Sequence, residues 1–580
     1  MLKFHNHNHS ETFEGLLILS SVKDPLRVNM WKVIRKMNTY DVIVIGGGST
    51  GTSIARDCAM RGLKTILFER KDLASGATGA CAGMISGGVK YALQEPDFAE
   101  MCTREVVYLS RIAKHIVFRT PILTAILTEE ELKLREKFVD TYGTLTRKRQ
   151  ASPILILSPR EARKLEPKLS SNIILAAYFD EMFIDPFRLA VLTALSAKQH
   201  GAEIRTYTEV VDILKRNGEV YGVKVRDRLT GKEEEVYGKI VVNAAGAWVP
   251  KISRMAGVSQ TLRLNKGTHV VFDRRITGFG IICRALDGRS VYLFPHETGA
   301  ILGTTAIDIF TDPDDAEATY DEVEYLISSM EMAVPSIREA RIVRVMCGVR
   351  PLIAQWWIPE GDVTRNFKVV DHEERDGVKG LISVEGGKLV VCRAMAEKIT
   401  DLVCEKLGRE AACRTHLEPL PGAEGEVDLN KLSLKYNVSP HTVSRLASRQ
   451  GALSQNILAR AESDPSALTS VCLCESVTEA ELRHAIRGEW GKTLEDLRRR
   501  TRMGMGPCQG FSCAYKAAAI LAEERGMSAS EAFRELKAFL TERCKGHSIV
   551  LRGSQLSEWE ITQAAYNCVG SMDDVTPLED

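Results

Sequence analysis

Two groups of residues in this 580-residue sequence have types and spacings that suit redox chemistry. The first is a set of four cysteines, in which Cys472 and Cys474 form C-x-C while Cys508 and Cys513 form C-x4-C. Four thiolates in a compact region can hold zinc or a 2Fe–2S cluster, and structural zinc more often uses C-x-x-C pairs, so the spacing favours iron–sulfur. A zinc site and four unligated buried thiols are the alternatives. The glycine-rich flank MGMGPCQG would bring backbone N–H groups to the sulfurs and tune a cluster's potential.

The second group is a glycine motif, G-x-G-x-x-G, formed by Gly46, Gly48 and Gly51. It follows the β-branched run YDVIVIG and opens the helical stretch STGTSIARDCAMRG, as a nucleotide-binding turn requires. The first glycine permits a tight turn, the second lets the backbone approach a pyrophosphate, and the third allows helix and strand to pack closely. Glu69 ends the next strand-like run, LKTILFE, where a carboxylate accepts hydrogen bonds from a ribose. The sequence therefore predicts a dinucleotide site at a helix N-terminus, with a ligand-free glycine turn as the alternative.

The glycine motif does not distinguish NAD from FAD, but the cysteines bear on the choice. A nicotinamide passes two electrons together as a hydride, so it cannot feed an iron–sulfur centre one electron at a time. A flavin can accept a hydride and release its electrons singly. If the cluster is present, FAD is the consistent cofactor, and we predict both FAD and a 2Fe–2S cluster.

The pattern of strand-like and helical runs predicts an α/β fold. Because the strands partly alternate with helices and partly cluster, the class is α/β with an antiparallel portion. The predicted parts are an extension that is disordered or an over-long start (1–39), a part that contains the glycine motif (40–407), a helical connector (408–470), a part that contains the cysteine cluster (471–520), and C-terminal helices with a tail (521–580).

The composition narrows the class of function. With 77 basic and 76 acidic residues the net charge is +1, which gives no long-range field for nucleic acid, so an anionic ligand must be held by local cations. No apolar run approaches the roughly 18 to 20 residues of a membrane span. Fourteen cysteines without a secretory signal favour a reducing compartment. We therefore predict a cytoplasmic protein with no transmembrane segment and no nucleic-acid partner.

A series of motifs in one order resembles a known family over roughly residues 38–545. The motifs are VIGGGSTGTSIARDCAMRGL, DLASGATG, VVNAAGAW, KGTH, GTT, CGVRPL, GGKL, and VCLCESVT followed by TRMGMGPCQGFSC. The sequence resembles the large catalytic subunits of bacterial anaerobic glycerol-3-phosphate dehydrogenases. The resemblance implies a flavoprotein fold of the DAO and glutathione-reductase type. Residues 40–407 would then be an FAD-dependent oxidoreductase domain, in which a Rossmann-like FAD-binding domain is interleaved with an antiparallel-sheet substrate domain, and the substrate-binding portion would lie mainly in 255–350. Residues 471–520 would form a small helical C-terminal 2Fe–2S domain like bacterioferritin-associated ferredoxin.

The resemblance also implies an activity and partners. It predicts an FAD-dependent dehydrogenase that oxidises a phosphorylated polyol, sn-glycerol 3-phosphate, to dihydroxyacetone phosphate. Electrons would pass through the 2Fe–2S cluster to partner subunits and then to membrane quinone, placing the chain peripherally at the cytoplasmic membrane. Two alternatives are a dehydrogenase of another small 2-hydroxy acid, secondary amine or amino acid, and a non-catalytic electron-transfer or assembly subunit.

Carried over position by position, the resemblance identifies candidate site residues. Those expected at the cofactor are Gly46, Gly48, Ser49, Thr50, Gly51, Glu69, Arg70, Ser75, Thr78, Gly246, Gly386 and Gly387. Those expected at the substrate are His269, Arg350, Lys388, Lys90, Tyr91 and Arg365. Arg350 and Lys388 would hold the phosphate and stabilise transition-state charge, and His269 would be the base. A surface ion pair or a satisfied core histidine is the alternative for each single residue.

The segment MISGGVKY departs from the family pattern at two positions. The family usually has histidine at the position of Ser86 and arginine at that of Lys90. A serine is not a base near neutral pH without help, and a lysine lacks the planar fork of arginine. Both residues are expected in the substrate pocket, so the departures concern the substrate rather than FAD.

Overall fold

The computed structural model describes residues 39–88, 91, 94–132, 154–544, 547 and 550–570. Apart from Thr39, the expected N-terminal extension lies outside this part of the chain, and so does Lys90. The β-strands are β1 (Tyr40–Ile45), β2 (Thr65–Phe68), β3 (Val117–Ile126), β4 (Leu155–Leu157), β5 (Leu175–Ile184), β6 (Glu203–Arg205), β7 (Thr208–Arg216), β8 (Glu219–Asp227), β9 (Glu233–Asn243), β10 (Leu262–Phe272), β11 (Gly280–Arg284), β12 (Ser290–His296), β13 (Gly299–Gly303), β14 (Ile307–Asp308), β15 (Ile342–Ile353), β16 (Phe367–Asp371), β17 (Leu381–Gly386), β18 (Ser470–Cys472) and β19 (Val477–Thr478).

The α-helices alternate with these strands and then dominate the C-terminal part. They are α1 (Ser49–Met60), α2 (Pro96–Ile112), α3 (Pro159–Leu165), α4 (Pro186–Gln199), α5 (Val249–Met255), α6 (Tyr320–Glu331), α7 (His372–Asp376), α8 (Cys392–Leu407), α9 (Leu429–Tyr436), α10 (Pro440–Gln450), α11 (Leu453–Leu458), α12 (Glu479–Gly488), α13 (Leu494–Thr501), α14 (Ala514–Arg525), α15 (Ala529–Cys544) and α16 (Ser554–Gly570). Among the described helices, none combines the length and apolar character needed to cross a bilayer.

The first sheet has a parallel centre and carries the glycine turn. Its strand order is β16-β17-β9-β1-β2-β6, and the β7–β8 hairpin continues from β9. Strand β1 pairs in parallel with both β2 and β9. Val42, Ile43 and Val44 are fully buried, as expected of a central strand covered on both faces. Helix α1 packs against α4 and α8, so the turn between β1 and α1 sits on a rigid layer.

The second sheet is mainly antiparallel and supplies the far wall of the cavity that the glycine turn faces. Its order is β14-β10-β13-β12-β11-β3-β5-β4, with β15 also pairing with β10. The range 255–350, predicted for the substrate portion, omits β3, β4 and β5 from this sheet. These strands come from an earlier segment, and the parallel pairing of β3 with β11 joins them to the rest. Such a pairing depends on contacts distant in sequence, which local patterns do not reveal.

The C-terminal module, residues 408–570, begins with a helical segment that has its own small core. The buried apolar residues of that core are Leu432, Tyr436, Val443, Leu446, Ile457, Leu458, Ala467 and Ala480. The short β18–β19 hairpin follows. Cys472 is the last residue of β18, and Cys474 lies in the connection to β19. Helices α12 to α15 then pack around the segment that contains the other two.

Buried ion pairs fix this module to the rest of the protein. Arg188 in α4 pairs with Glu489 at 2.7 Å, and neither side chain is exposed to solvent. Arg188 also donates to the backbone oxygen of Arg449 and to Gln450 Oε1, both at 2.9 Å. Burying a charged pair is tolerated only when the geometry is good and the remaining donors have partners, as they do here. The contact between this module and the rest of the protein therefore depends on both members of the pair. Removing either one should lower the free energy of unfolding.

We predict that Glu489→Gln destabilises the fold by about 3 kcal/mol, because it leaves the Arg188 charge buried without a counter-charge. Burial alone would raise the pKa of Glu489, but Arg188 and His484 hold it well below its usual range. The pair's contribution is therefore present above about pH 4.3, the ordinary pKa of Glu, and is lost as the pH falls further.

Denaturant unfolding at pH 7 and pH 3.5 measures both effects. The exposed pair of Arg226 and Glu233 provides the control, since Glu233→Gln should leave the unfolding midpoint nearly unchanged. Equal effects of the two substitutions would contradict a special role for the buried pair.

Candidate active site

A cavity of about 450 Å³ extends from the glycine turn to the second sheet. Its volume lies within the range of roughly 300 to 1,000 Å³ that is common for small-molecule and cofactor sites. Its lining includes these expected cofactor residues: Gly46, Gly48, Ser49, Thr50, Glu69, Arg70, Ser75, Thr78, Gly246, Gly386 and Gly387. Of the residues expected at the substrate, Tyr91, Arg350, Arg365 and Lys388 also line it. The structure thus brings the two predicted groups together around one space.

The glycine turn needs its glycines for two separate reasons. Gly46 has φ +111°, a conformation that residues with a Cβ rarely adopt. Gly51 lies behind the cavity wall, and a Cβ there would come within 1.9 Å of the Gly46 oxygen. No side chain caps helix α1, although the Ser49 N–H donates to Thr78 Oγ1 at 3.0 Å. The positive end of the helix therefore faces the cavity, as a pyrophosphate would require.

Glu69 shapes the same end of the cavity. Its carboxylate accepts the N–H groups of Gly47 at 2.7 Å and Lys71 at 2.8 Å. Burial raises the pKa of Glu69, although these two hydrogen bonds oppose the shift. Each carboxylate oxygen keeps room for a further donor, so a ribose hydroxyl could also bind.

Arg70 and Trp248 form a neighbouring part of the wall. The Arg70 guanidinium lies 4.4 Å from the Trp248 ring centroid, and it also pairs with Asp314. Trp248 Nε1 donates to the same carboxylate at 3.3 Å. Trp248 was not among the residues singled out from the sequence, although it closes the motif VVNAAGAW.

At the opposite end, Arg350 is half-buried and has only neutral hydrogen-bond acceptors among the described residues. Its Nη1 lies 2.8 Å from Asn265 Oδ1 and 3.1 Å from the Thr305 oxygen, and its Nη2 lies 2.9 Å from Thr304 Oγ1. Burial, and then repulsion from Arg365, lowers the pKa of Arg350 to about 10. A Cβ on Gly267 of the KGTH motif would be 2.2 Å from Arg350 Nη2, so that glycine makes room for the guanidinium.

Three further groups complete this end of the cavity. Lys388 Nζ lies 5.2 Å from the centroid of the Tyr91 ring, and the Tyr91 hydroxyl interacts with the Arg365 side chain. Arg365 Nη1 is buried and has no hydrogen-bond partner within the described residues. Burial lowers the pKa of Arg365 as well. The group of Arg350, Arg365 and Lys388, which we call the cation cluster, is thus suited to an anionic ligand.

His269 does not line the cavity, in contrast to the expectation that it contacts the substrate. Its Nε2 lies 2.7 Å from Tyr292 Oη, and it is Tyr292 that faces the cavity. The two side chains meet over Gly303 of β13, where a Cβ would be 2.4 Å from His269 Cδ2. Burial lowers the pKa of His269 to about 3, which keeps the ring neutral near physiological pH.

Tyr292 is a site residue that the sequence did not identify. A signal was present in VYLFP, because Val291 and Leu293 are buried apolar residues on one face of β12 while Tyr292 lies on the other. Burial raises the pKa of Tyr292, so its hydroxyl keeps its proton. Ser86 is half-buried and is not among the described residues that line the cavity.

The four cysteines form two close pairs. Cys474 Sγ lies 3.6 Å from Cys508 Sγ, and the thiols of Cys472 and Cys513 share a hydrogen bond. The second pair is buried, whereas the first is half-exposed. A Cβ on Gly506 would come within 2.3 Å of Cys474 Cβ, so the glycine-rich loop needs this residue to pass so close.

Backbone N–H groups surround these sulfurs. The Gly504 N–H reaches the thiols of Cys472 and Cys513, and those of Gly510 and Ser512 reach Cys508. The hydrogen bond from Cys513 lowers the pKa of Cys472 to about 6. Across the ranges that the structure describes, no group of three or more His, Cys, Asp or Glu side chains has an arrangement that would hold a single metal ion.

Comparisons with known proteins agree with this geometry. Residues 41–402 match a family described as FAD dependent oxidoreductase, and residues 413–532 match one described as the C-terminal domain of alpha-glycerophosphate oxidase. One subunit of the anaerobic glycerol-3-phosphate dehydrogenase of Escherichia coli (strain K12) is 38% identical over 539 residues, which cover 92% of this chain and 97% of that protein. The homologous subunit from Haloferax volcanii is 38% identical over 534 residues, covering 89% and 88%.

A solved structure gives the same result for the fold. The glycerol-3-phosphate dehydrogenase from Bacillus halodurans complexed with FAD aligns with a TM-score of 0.72 at 24% identity, covering 91% of this chain and 99% of that one. The predicted mixed α/β flavoprotein fold with a helical C-terminal region is confirmed.

We predict that Gly51→Ala weakens FAD binding about tenfold or more, because the added Cβ would displace the Gly46 oxygen and deform the turn. The flavin content of the purified protein and fluorescence titration with FAD measure the effect. Gly488→Ala is the matched control, since a Cβ there meets only His484 Cε1 at 3.9 Å within a helix. Equal flavin content in the two variants would contradict this role for the turn.

Proposed function

Because the chain belongs to the FAD-dependent oxidoreductase family, alongside subunits of anaerobic glycerol-3-phosphate dehydrogenases, we propose that it oxidises sn-glycerol 3-phosphate to dihydroxyacetone phosphate. The observation that carries the proposal is the single cavity joining the glycine turn to the half-buried cation cluster. The names of the relatives support the same substrate. FAD, when bound, supplies the hydride acceptor and can pass the electrons on singly.

The cation cluster would hold the substrate's phosphate. A phosphate monoester carries a charge of about −1.5 to −2 at pH 7, and hydrogen bonds to charged groups contribute about 1.5–3 kcal/mol each. Arg350 offers a planar guanidinium whose present partners are all neutral, and Arg365 has an Nη1 without a partner among the described residues. A dianion would relieve the repulsion between these two arginines. Lys388 would supply a third positive charge near the reacting hydroxyl.

Tyr292 and His269 would handle the proton of the substrate hydroxyl. The Tyr292 hydroxyl faces the cavity and hydrogen-bonds to His269 Nε2, so the substrate proton could move to the tyrosine oxygen as the tyrosine proton moves to the neutral imidazole. The charged imidazole is costly in this buried position, but a dianionic substrate nearby would stabilise it. In this proposal His269 acts through Tyr292 and does not touch the substrate. Lys90, which lies outside the described residues, stays a predicted substrate contact.

The two cysteine pairs would each bind one iron of a 2Fe–2S cluster. Two sulfurs on one tetrahedral metal with metal–sulfur bonds of about 2.3 Å lie about 3.8 Å apart, close to the observed 3.6 Å between Cys474 and Cys508. A zinc ion would instead need all four thiols around one point. The backbone N–H groups at the sulfurs would tune the cluster's potential.

The half-exposed pair of cysteines suggests where electrons would leave. Cys474 and Cys508 are the outer pair, so the route from FAD would run through the inner cysteines to this surface. The acceptor would be a partner protein leading to membrane quinone, which would place this chain peripherally at the cytoplasmic face. The relatives are themselves named as single subunits of an enzyme, which is consistent with further subunits.

Anaerobic visible spectra recorded before and after adding substrate test the proposal. Glycerol 3-phosphate should bleach the flavin and then reduce the cluster. The cation cluster would also suit a carboxylate, so the same experiment should include a 2-hydroxy acid (lactate), proline and sarcosine. Bleaching by one of these and not by glycerol 3-phosphate would reject the proposed substrate in favour of that class.

We predict that Lys388→Ala lowers the rate of flavin bleaching by glycerol 3-phosphate by about a hundredfold or more while FAD stays bound. The reason is the loss of a cation at the reacting end of the cavity. Lys398→Ala is the control, because Lys398 is exposed and lies over the Phe367 ring outside the cavity. Loss of flavin from the Lys388 variant would mean that this lysine serves the cofactor instead.

We predict that Cys508→Ser removes the cluster and abolishes electron transfer to an external acceptor, while glycerol 3-phosphate still bleaches the flavin. Iron and sulfide analysis with visible and electron paramagnetic resonance spectra measures the first effect. Cys413→Ser is the control, since Cys413 is a half-buried thiol that bonds to Thr415 away from the cluster. Zinc in the unmodified protein, or unchanged iron in the Cys508 variant, would contradict the proposed ligands.

A further inference from the structure

We propose that Asp72 is a positioning residue that sets the rate of electron transfer from the flavin to the cysteine cluster. It would do so by holding two loops together, the cofactor loop (residues 72–81) and the cysteine loop (residues 502–513). This inference rests on the proposed function, because it assumes FAD in the cavity and a cluster on the cysteines.

Asp72 makes a buried two-pronged ion pair across the joint between the two parts of the protein. Its carboxylate accepts Arg500 Nη2 at 2.6 Å, and Arg500 Nη1 contacts its other oxygen. Arg499 Nη1 adds a third donor at 3.0 Å. Asp72 is 1% exposed and Arg500 is 0% exposed. In such surroundings the pair resists separation, because breaking it would leave two buried charges with fewer hydrogen-bond partners.

On one side, Asp72 is tied to the cofactor cavity. The Ser75 N–H donates to the Asp72 backbone oxygen at 3.2 Å, and Ser75 lines the cavity. The Ala74 N–H donates to the Gly47 oxygen at 3.0 Å, which anchors the same turn to the glycine motif independently of the Asp72 side chain. The turn should therefore keep its shape, and the cofactor its place, when the carboxylate is altered.

On the other side, Arg500 is tied to the sulfurs. It lies in the last turn of α13, and its Nε donates to the Glu489 oxygen at 2.9 Å. The chain then runs directly to Gly504, whose N–H reaches the inner thiols. Arg502, between them, donates from Nε to Glu475 at 3.1 Å, beside the outer cysteine Cys474. A shift of Arg500 would therefore move the backbone N–H that bonds to the inner sulfurs.

Direct packing between the two loops is interrupted elsewhere. A second cavity of about 260 Å³ has residues 74–76 and 79–81 of the cofactor loop on one wall and residues 505–507 of the cysteine loop on another. The Asp72–Arg500 pair lies at the edge of this gap and joins the cofactor loop directly to the helix that leads into the cysteine loop. Arg341 Nη1 also holds the cysteine loop, by donating to the Pro507 oxygen at 3.3 Å. In the proposal the Asp72–Arg500 pair limits the separation of the two loops, on which the rate of electron transfer depends steeply.

Stopped-flow spectroscopy of the anaerobic full-length holoenzyme mixed with glycerol 3-phosphate tests the inference. The first phase is flavin bleaching and the second is cluster reduction. Asp72→Asn should leave the first phase within about twofold and slow the second about threefold or more, since the rate of electron tunnelling falls exponentially with distance. Glu105→Gln is the control, because it removes one charge from the equally buried pair with Arg393 inside the cofactor-binding part and should leave the ratio of the two rates unchanged.

Arg500→Lys provides a second variant, which keeps the positive charge but loses the planar fork, and should also slow only the second phase. The Arg500→Lys variant takes the place of Asp72→Asn in this experiment if the Asp72→Asn protein does not fold. An unchanged second phase in a folded variant, or equal slowing of both phases, would overturn the inference while leaving the proposed function intact. Wild-type protein without a cluster would instead overturn the proposed electron route itself, and with it this inference.

Discussion

A half-buried guanidinium that has no carboxylate partner among the described residues is the constraint around which the site is organised. Arg350 is held by an amide oxygen, backbone oxygens and a hydroxyl, all of them neutral. Burying an uncompensated charge is unfavourable, so a fold that retains one gains most when an anion arrives. Strand β10 fits this group closely: Asn265 lies opposite Arg350 in the β15 register, and Gly267 has no side chain to block it. The architecture of the second sheet thus prepares a site for a negatively charged ligand.

The first sheet supplies the complementary half of the site through backbone rather than side-chain charge. The turn after β1 faces the cavity with the uncapped end of α1, and its glycines allow the close approach of strand and helix. The cavity therefore has one end suited to a pyrophosphate and another suited to a small anion. Two sheets from interleaved segments of chain are needed to bring these ends within one space.

How much of this arrangement was predictable depends on how local each signal is. The glycine turn, Glu69 and the cation-bearing positions Arg350 and Lys388 lie in short motifs, and the structure places them around one cavity. Tyr292 was missed and His269 was expected at the substrate, because their mutual contact depends on how β10 and β12 align on either side of β13. No local pattern encodes the pairing of β3 with β11 or the ion pair of Asp72 with Arg500, because both join residues far apart in sequence.

The central claim is that the half-buried Arg350, which has no carboxylate partner in the described part of the chain, selects an anionic substrate. A comparison of glycerol 3-phosphate with glycerol tests this claim most directly. Both offer the same secondary alcohol, and only the first carries a phosphate. The phosphate would form two or three charged hydrogen bonds, each contributing about 1.5–3 kcal/mol. The second-order rate constant for anaerobic flavin bleaching should therefore be about a thousandfold or more higher for the phosphate ester than for glycerol. Comparable rate constants for the two compounds would contradict the account.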